Sequence, residues 1–218
     1  MKNNAELQQD VMDELRWDSA TRDLEIGVAA KDGVVTLAGT VPTYSAKLAV
    51  QQAAERVAGV RAMADDVAVR LASSDERSDT ELAHAVLNAL KWDVDVREEM
   101  ISVKVGNGLV SLEGALETNF QRRSVERAVR YLKGVKGVLN HITIEPKPAS
   151  PVEVTRKIKA ALHRSAELDA GRVHIETHDG TVTLKGTVRS WSERTDVERA
   201  AWSAPGVRQV NDQLVVGV

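Results

Sequence analysis

The strongest constraint on this chain is that it repeats itself. Three segments, KDGVVTLAGTV, GNGLVSLEGAL and HDGTVTLKGTV, share one pattern. Their first glycines are Gly33, Gly108 and Gly180, and their second are Gly39, Gly114 and Gly186. A third set, Gly59, Gly134 and Gly206, opens GVRAM, GVKGV and GVRQV. All three sets are offset by 75 and then 72 residues, so no gap falls inside a unit. Apolar positions keep the same register, as in Val11, Val86 and Ile158 or Leu37, Leu112 and Leu184. A period of this kind marks one supersecondary unit copied along the chain, here over 1–72, 78–147 and 150–218.

Each unit reads as a helix, a hairpin, a helix and a last strand. Asn3 with Glu6, Ser78 with Glu81 and Ser150 with Glu153 have the spacing of a capping box, in which a short polar side chain and a Glu three residues on satisfy the first amides of a helix. Pro151 falls where a helix tolerates proline best. Leu7, Val11 and Leu15 then recur every four residues, as a buried helix face requires. Alternation follows in Ile26–Val28–Ala30 and its counterparts. The turns Asp32-Gly33, Asn107-Gly108 and Asp179-Gly180 tolerate the positive φ of a tight hairpin. Gly39, Gly114 and Gly186 are expected either to clear a crossing helix or to mark a bulge. Thr43, Thr118 and Ser190 start a second helix, with Gln121 and Glu193 completing capping boxes, and Gly59, Gly134 and Gly206 end it. The predicted fold class is α+β: three tandem α-β-β-α-β two-layer sandwiches, each a three-stranded mixed sheet with two helices on one face.

The pattern I-x-V-x-V-x-x-G-x-V-x-L-x-G-x-V, followed by a helix and G-V-x-x-V-x-N-x-I, resembles the BON domain (bacterial osmotically inducible and nodulation). Unit two carries it most fully, in ISVKVGNGLVSLEGAL and GVKGVLNHITI. In unit three Asn211 sits one place early and Asp212 takes the aligned slot; in unit one Met63 replaces the Val and Asp65 the Asn140-like residue. The resemblance implies the same α-β-β-α-β sandwich. It also implies contact with phospholipid surfaces or other envelope proteins, since relatives include osmotic-stress proteins, envelope lipoproteins, secretins and a potassium-binding protein. It assigns no binding residues.

The residues argue against an enzyme. The chain has no cysteine, which excludes thiol nucleophiles and thiolate metal sites. No phosphate-cradling loop occurs, and no carboxylate pairs with a His and a Ser or Thr. No cofactor is expected. His174, Glu176 and His178 alternate along one strand and share a face. That is a weak zinc or copper candidate, set against a merely polar outer sheet face, and no metal is assigned. The opening MKNNAELQQDVMDEL lacks an apolar signal core, and no run approaches the roughly 18 apolar residues of a membrane span. The expectation is a cytoplasmic protein, or a periplasmic one if the sequence is a trimmed mature form.

Surface chemistry offers more. Trp17 and Trp92 follow the first helix at equivalent places, and both are expected to lid their small cores. Trp202 has Glu55 and Arg130 as counterparts, and is expected to face solvent on the second helix. Trp191 lies near the start of that helix. Exposed indoles there suit a partner or membrane interface, or packing on a neighbouring unit. Arg123, Arg127 and Arg130 share a helical face that suits anionic headgroups or the acidic first unit of another copy, if it is not simply solvated. It lacks interleaved aromatics, which argues against nucleic acid as a partner. Net charge runs −4, 0 and +1 across the three units. Three functional expectations follow. The first is a non-enzymatic stress or envelope-associated protein contacting phospholipid. The second is a head-to-tail self-assembling protein forming a ring or filament. The third is a small cation, such as potassium, held between units by backbone carbonyls.

Overall fold

The structure is a computed structural model that describes residues 2–93, 98–164 and 170–217. Repeat 1 runs α1 (Asn4–Trp17), β1 (Ile26–Lys31), β2 (Val34–Val41), α2 (Tyr44–Arg56) and β3 (Ala62–Val69). Repeat 2 runs α3 (Asp79–Lys91), β4 (Ile101–Gly106), β5 (Leu109–Leu116), α4 (Asn119–Arg130) and β6 (Gly137–Ile144). Repeat 3 runs α5 (Pro151–Arg164), β7 (Val173–His178), β8 (Thr181–Val188), α6 (Trp191–Trp202) and β9 (Gln209–Val216). The expected element order holds in every repeat.

Each sheet places its middle strand in the centre, in the orders β1-β2-β3, β4-β5-β6 and β7-β8-β9. The hairpin pairs antiparallel, with Val28 opposite Leu37, Val103 opposite Leu112 and Ile175 opposite Leu184. The last strand joins parallel, with Leu112 beside Asn140 and Leu184 beside Asp212. In repeat 1 the Arg61 N–H donates to the Gly33 carbonyl at one end and the Arg70 N–H to Val41 at the other, the same parallel sense. Because strand side chains alternate, Val35 and Leu37, Val110 and Leu112, and Val182 and Leu184 all point to the helix side and are fully buried. Helix residues at four-residue spacing meet them: Leu7, Val11 and Leu15; Leu82, Val86 and Leu90; Val154, Ile158 and Leu162. Aliphatic side chains supply nearly all of this interior.

Local signals explain the helix ends. Asn3 with Glu6, Ser78 with Glu81 and Thr118 with Gln121 form complete capping boxes. At α6 the Ser190 hydroxyl accepts the Glu193 N–H, but the Glu193 carboxylate reaches one residue further back, to the Arg189 N–H. The expected closed box is therefore displaced by one position. At α5, Glu153 pairs with Lys157 Nζ at 2.8 Å. Asp32, Asn107 and Asp179 have φ of 51°, 55° and 44°, each followed by a positive-φ glycine, as a tight hairpin demands.

The second glycines correct one expectation. Neither a crossing helix nor a bulge explains them, since the pairing is continuous through Ile26–Gly39, Ile101–Gly114 and Val173–Gly186. A Cβ on Gly39 would lie 2.7 Å from the Glu25 carbonyl oxygen, just before the first strand begins. Gly114 and Gly186 face the carbonyl oxygens of Met100 and Arg172 more tightly still. With φ of 151°, 153° and 131°, these residues let the incoming chain turn onto the strand edge.

Candidate functional site

The surface residues fall into three groups, and the structure regroups those singled out from the sequence. Trp17 and Trp92 were expected to cover their cores; they are instead 83% and 85% exposed. The helical register gives the reason. Each residue turns the helix by about 100°, so Trp17, two places after the buried Leu15, lies on the opposite side, as Trp92 does after Leu90. That signal was present in the sequence, where the four-residue spacing of the core already fixed which side faces inward.

Trp202 and Trp191 show the reverse. Both are half-buried and pack against the core of repeat 3. Trp202 Nε1 donates to Glu198 Oε1 at 3.1 Å. The Arg194 guanidinium lies 4.7 Å above the Trp191 ring and pairs with Asp212 on β9. Charged counterparts misled the sequence reading, because long charged side chains cover apolar surface with their stems while keeping their heads wet. Glu55 and Arg130, aligned with Trp202, are half-buried too. Burial pushes the Glu55 carboxyl above its ordinary range.

The arginine stripe of α4 is altered at both ends. Arg123 and Arg127 are exposed and form no ion pair with any described residue. Arg130 is not an open member of the stripe: its guanidinium folds 4.8 Å from the Tyr131 ring and donates to the Tyr131 hydroxyl at 3.0 Å. No aromatic stands between the arginines, but two flank them. Phe120 and Tyr131 are 60% and 62% exposed and bracket Arg123 and Arg127 on one face. Nearby Lys133 is engaged by Asp75 at 2.7 Å.

His174, Glu176 and His178 do project from one exposed face of β7. Glu176 is held by Lys185 Nζ at 2.8 Å, with His174 at 3.5 Å, while His178 leans on Asp179 at 3.1 Å. The Lys185 ammonium, first, and then His174 keep the Glu176 carboxyl below its ordinary range. Among the described residues no group of three or more His, Asp or Glu is arranged to hold a metal ion. None of the described helices is long and apolar enough to cross a membrane.

A fourth position escaped sequence reasoning because it looked like a departure from the pattern. Asn140 Oδ1 accepts the Ile142 N–H at 3.2 Å, while Nδ2 donates to Glu126 on α4 at 3.2 Å. Asp65 does the same job toward Val67 and Gln51, and Asp212 toward Leu214 and Arg194. The slot needs an oxygen two residues before an amide, which Asn and Asp both supply. The helix partners are Gln51 for Asp65 and Glu126 for Asn140, at aligned positions, and for Asp212 it is Arg194, one helical turn earlier. The residue is a tie between last strand and second helix, not a ligand.

Each repeat is a small α-β-β-α-β module with an aliphatic core. The chain belongs to the BON domain family, whose model matches residues 3–70, 78–146 and 152–218. It is 31% identical over 146 residues to the osmotically-inducible protein Y of Escherichia coli (strain K12), covering 62% of this chain and 71% of that protein. It is 29% identical over 116 residues to an uncharacterized protein of Anaplasma centrale, covering 50% and 77% respectively. A solved structure of CdsD, a structural protein of the type III secretion system of Chlamydia trachomatis, aligns over 96% of this chain and 91% of that one. Its identity is 15% and its TM-score 0.28, too low to support any conclusion about this chain.

Proposed function

We propose that this chain is a non-enzymatic binding protein of the osmotic-stress response that contacts anionic phospholipid surfaces. The observation that carries the reading is the pair of exposed indoles at equivalent places, Trp17 and Trp92. Each directly follows a cation, Arg16 or Lys91. An indole beside a cation suits the headgroup region, where an apolar ring and a polar edge are both accommodated. A cleft of about 190 Å³ in repeat 1 has a mixed lining, with apolar Met12, Leu15, Leu24 and Ile26 alongside Arg16, Thr21, Arg22 and Glu25. Exposed Arg123 and Arg127 add positive charge, each basic residue near an anionic surface being worth about 1 kcal/mol. The link to osmotic stress comes from the name of the Escherichia coli relative.

Co-sedimentation with phosphatidylglycerol-containing vesicles, and with purely zwitterionic ones, tests this directly. Binding to the anionic vesicles that weakens with salt and is lost in Trp17→Ala/Trp92→Ala supports the reading. Equal binding by the double variant contradicts it.

A further inference from the structure

We propose that a cavity between repeats 1 and 3 binds a small zwitterion, an α-amino acid with an apolar side chain. The cavity measures about 980 Å³, within the range of small-molecule sites. It lies inside one compact unit that holds residues of both repeats. Leu7 and Ala58 from repeat 1 and Val215 and Val216 from repeat 3 give it an apolar wall. Four charged residues line it as well: Lys2, Asp32, Arg61 and Arg189. Two of them are already engaged. Lys2 Nζ pairs with Asp10 at 2.6 Å. Arg189 is also held within the chain, with the Glu193 carboxylate at its backbone N–H.

The other two stand side by side without meeting. The Arg61 N–H donates to the Gly33 carbonyl at 2.7 Å. The Arg61 stem lies over Gly33, where an added Cβ would come within 2.7 Å of its Cδ. Asp32 precedes Gly33 in the same turn, which is fixed by the Asp32 N–H donating to Asn4 Oδ1 at 2.8 Å. Yet neither the Asp32 carboxylate nor the Arg61 guanidinium forms an ion pair or hydrogen bond with any described residue. In repeat 3 the aligned Asp179 is taken by His178 at 3.1 Å, and in repeat 2 the aligned residue is the neutral Asn107. The turn of repeat 1 therefore offers an open acid beside an open cation. A gap wider than an ion pair, with a donor fork on one side and an acceptor on the other, fits a ligand that carries both complements. Its carboxylate meets the guanidinium in two parallel hydrogen bonds, and its ammonium donates to Asp32. Both protein charges come from one turn, so the ligand charges must be close together, as on a single α-carbon. The apolar wall takes the ligand side chain. A quaternary ammonium would call for aromatic rings, and no residue lining the cavity is aromatic.

Titration of the full chain with L-leucine, followed by backbone amide chemical shifts, tests the site. Saturable shifts at Gly33, Arg61 and Val216 are expected. The analogue 4-methylpentanoate lacks the ammonium, and 3-methylbutylamine lacks the carboxylate. Each should bind about tenfold more weakly, having lost one charge-assisted pair. Asp32→Asn, which places the residue type of Asn107 at this turn, and Arg61→Gln should each weaken leucine binding by about the same factor. Both residues are exposed, so melting should not change. Arg208→Gln, at the position of repeat 3 aligned with Arg61, should bind leucine as the wild type does. Trp17→Ala/Trp92→Ala should too, which separates this site from the phospholipid contact. The proposal is overturned if leucine gives no saturable shift or if either analogue binds as tightly as leucine. It is overturned equally if folded Asp32→Asn or Arg61→Gln binds leucine unchanged, or if either control variant loses it.

Discussion

The carboxylate of Asp79, in the first turn of α3, accepts the backbone N–H of Gly108 at 3.0 Å and ties the first helix of repeat 2 to its hairpin turn. The neighbouring Asn107 N–H reaches the other oxygen at 2.8 Å. In repeat 1 the aligned Asn4 accepts the Asp32 N–H at 2.8 Å, the same link without a charge. The two amides, Gly108 first and then Asn107, hold the Asp79 carboxyl below its ordinary range. A depressed acid contributes stability above its unfolded pKa and loses it as pH falls through the folded value. Acid denaturation of Asp79→Asn is therefore expected to be shallower below about pH 4, while at pH 7 the variant is the less stable of the two. Urea melts at pH 7 and pH 3 would show this as a difference that shrinks on acidification.

Gly114 should resist substitution. An alanine there combines a φ of 153° with a Cβ pressed on the Met100 carbonyl. The Met100 carbonyl is backbone, so no side-chain shift can relieve that contact. Gly114→Ala is expected to cost about 3 kcal/mol, whereas Gly106→Ala, whose Cβ meets nothing within 4 Å, should cost far less. Thermal denaturation of the two variants side by side is the check.

The strand-to-helix tie predicts a sign reversal. Asn140→Asp would set a carboxylate beside Glu126 Oε2, which now accepts from Asn140 Nδ2 at 3.2 Å. The expected loss is about 1–2 kcal/mol at pH 7. Adding Glu126→Gln restores the pairing that Asp65 and Gln51 make in repeat 1. A double-mutant cycle in which Asn140→Asp/Glu126→Gln is no more stable than Asn140→Asp alone would refute the matched-partner account.

Burial of the central strand is the ordinary part of the fold. Leu112 is fully buried, so Leu112→Ala should destabilise repeat 2 by about 2–5 kcal/mol. A change under 1 kcal/mol in chemical denaturation would mean that the repeat 2 core is not packed as described.

The fold was legible because its signals are local and repeated three times. Asp32-Gly33 and its counterparts declare a turn, Ser78 and Glu81 declare a helix start, and Leu7, Val11 and Leu15 declare a buried side. The candidate site was less legible. Aligning repeats assigned Trp202 to solvent from its charged counterparts, yet Glu55 and Arg130 are themselves half-buried. The two-residue step from Leu15 turns Trp17 outward, against the general tendency of indoles to be buried. Phe120 and Tyr131 stand at the ends of the arginine stripe rather than within it, so the arginine spacing does not point to them. Contacts between distant residues, such as Arg194 under Asp212 and over Trp191, leave no trace in spacing at all.

On the function proposed above, two exposed indoles bring this BON domain chain to anionic phospholipid. Vesicle co-sedimentation of the wild type against Trp17→Ala/Trp92→Ala, with thermal melts run in parallel, tests it most directly. Because both rings are more than four-fifths exposed, the account predicts unchanged melting and a loss of at least tenfold in anionic vesicle binding. Unchanged melting with unchanged binding would contradict it.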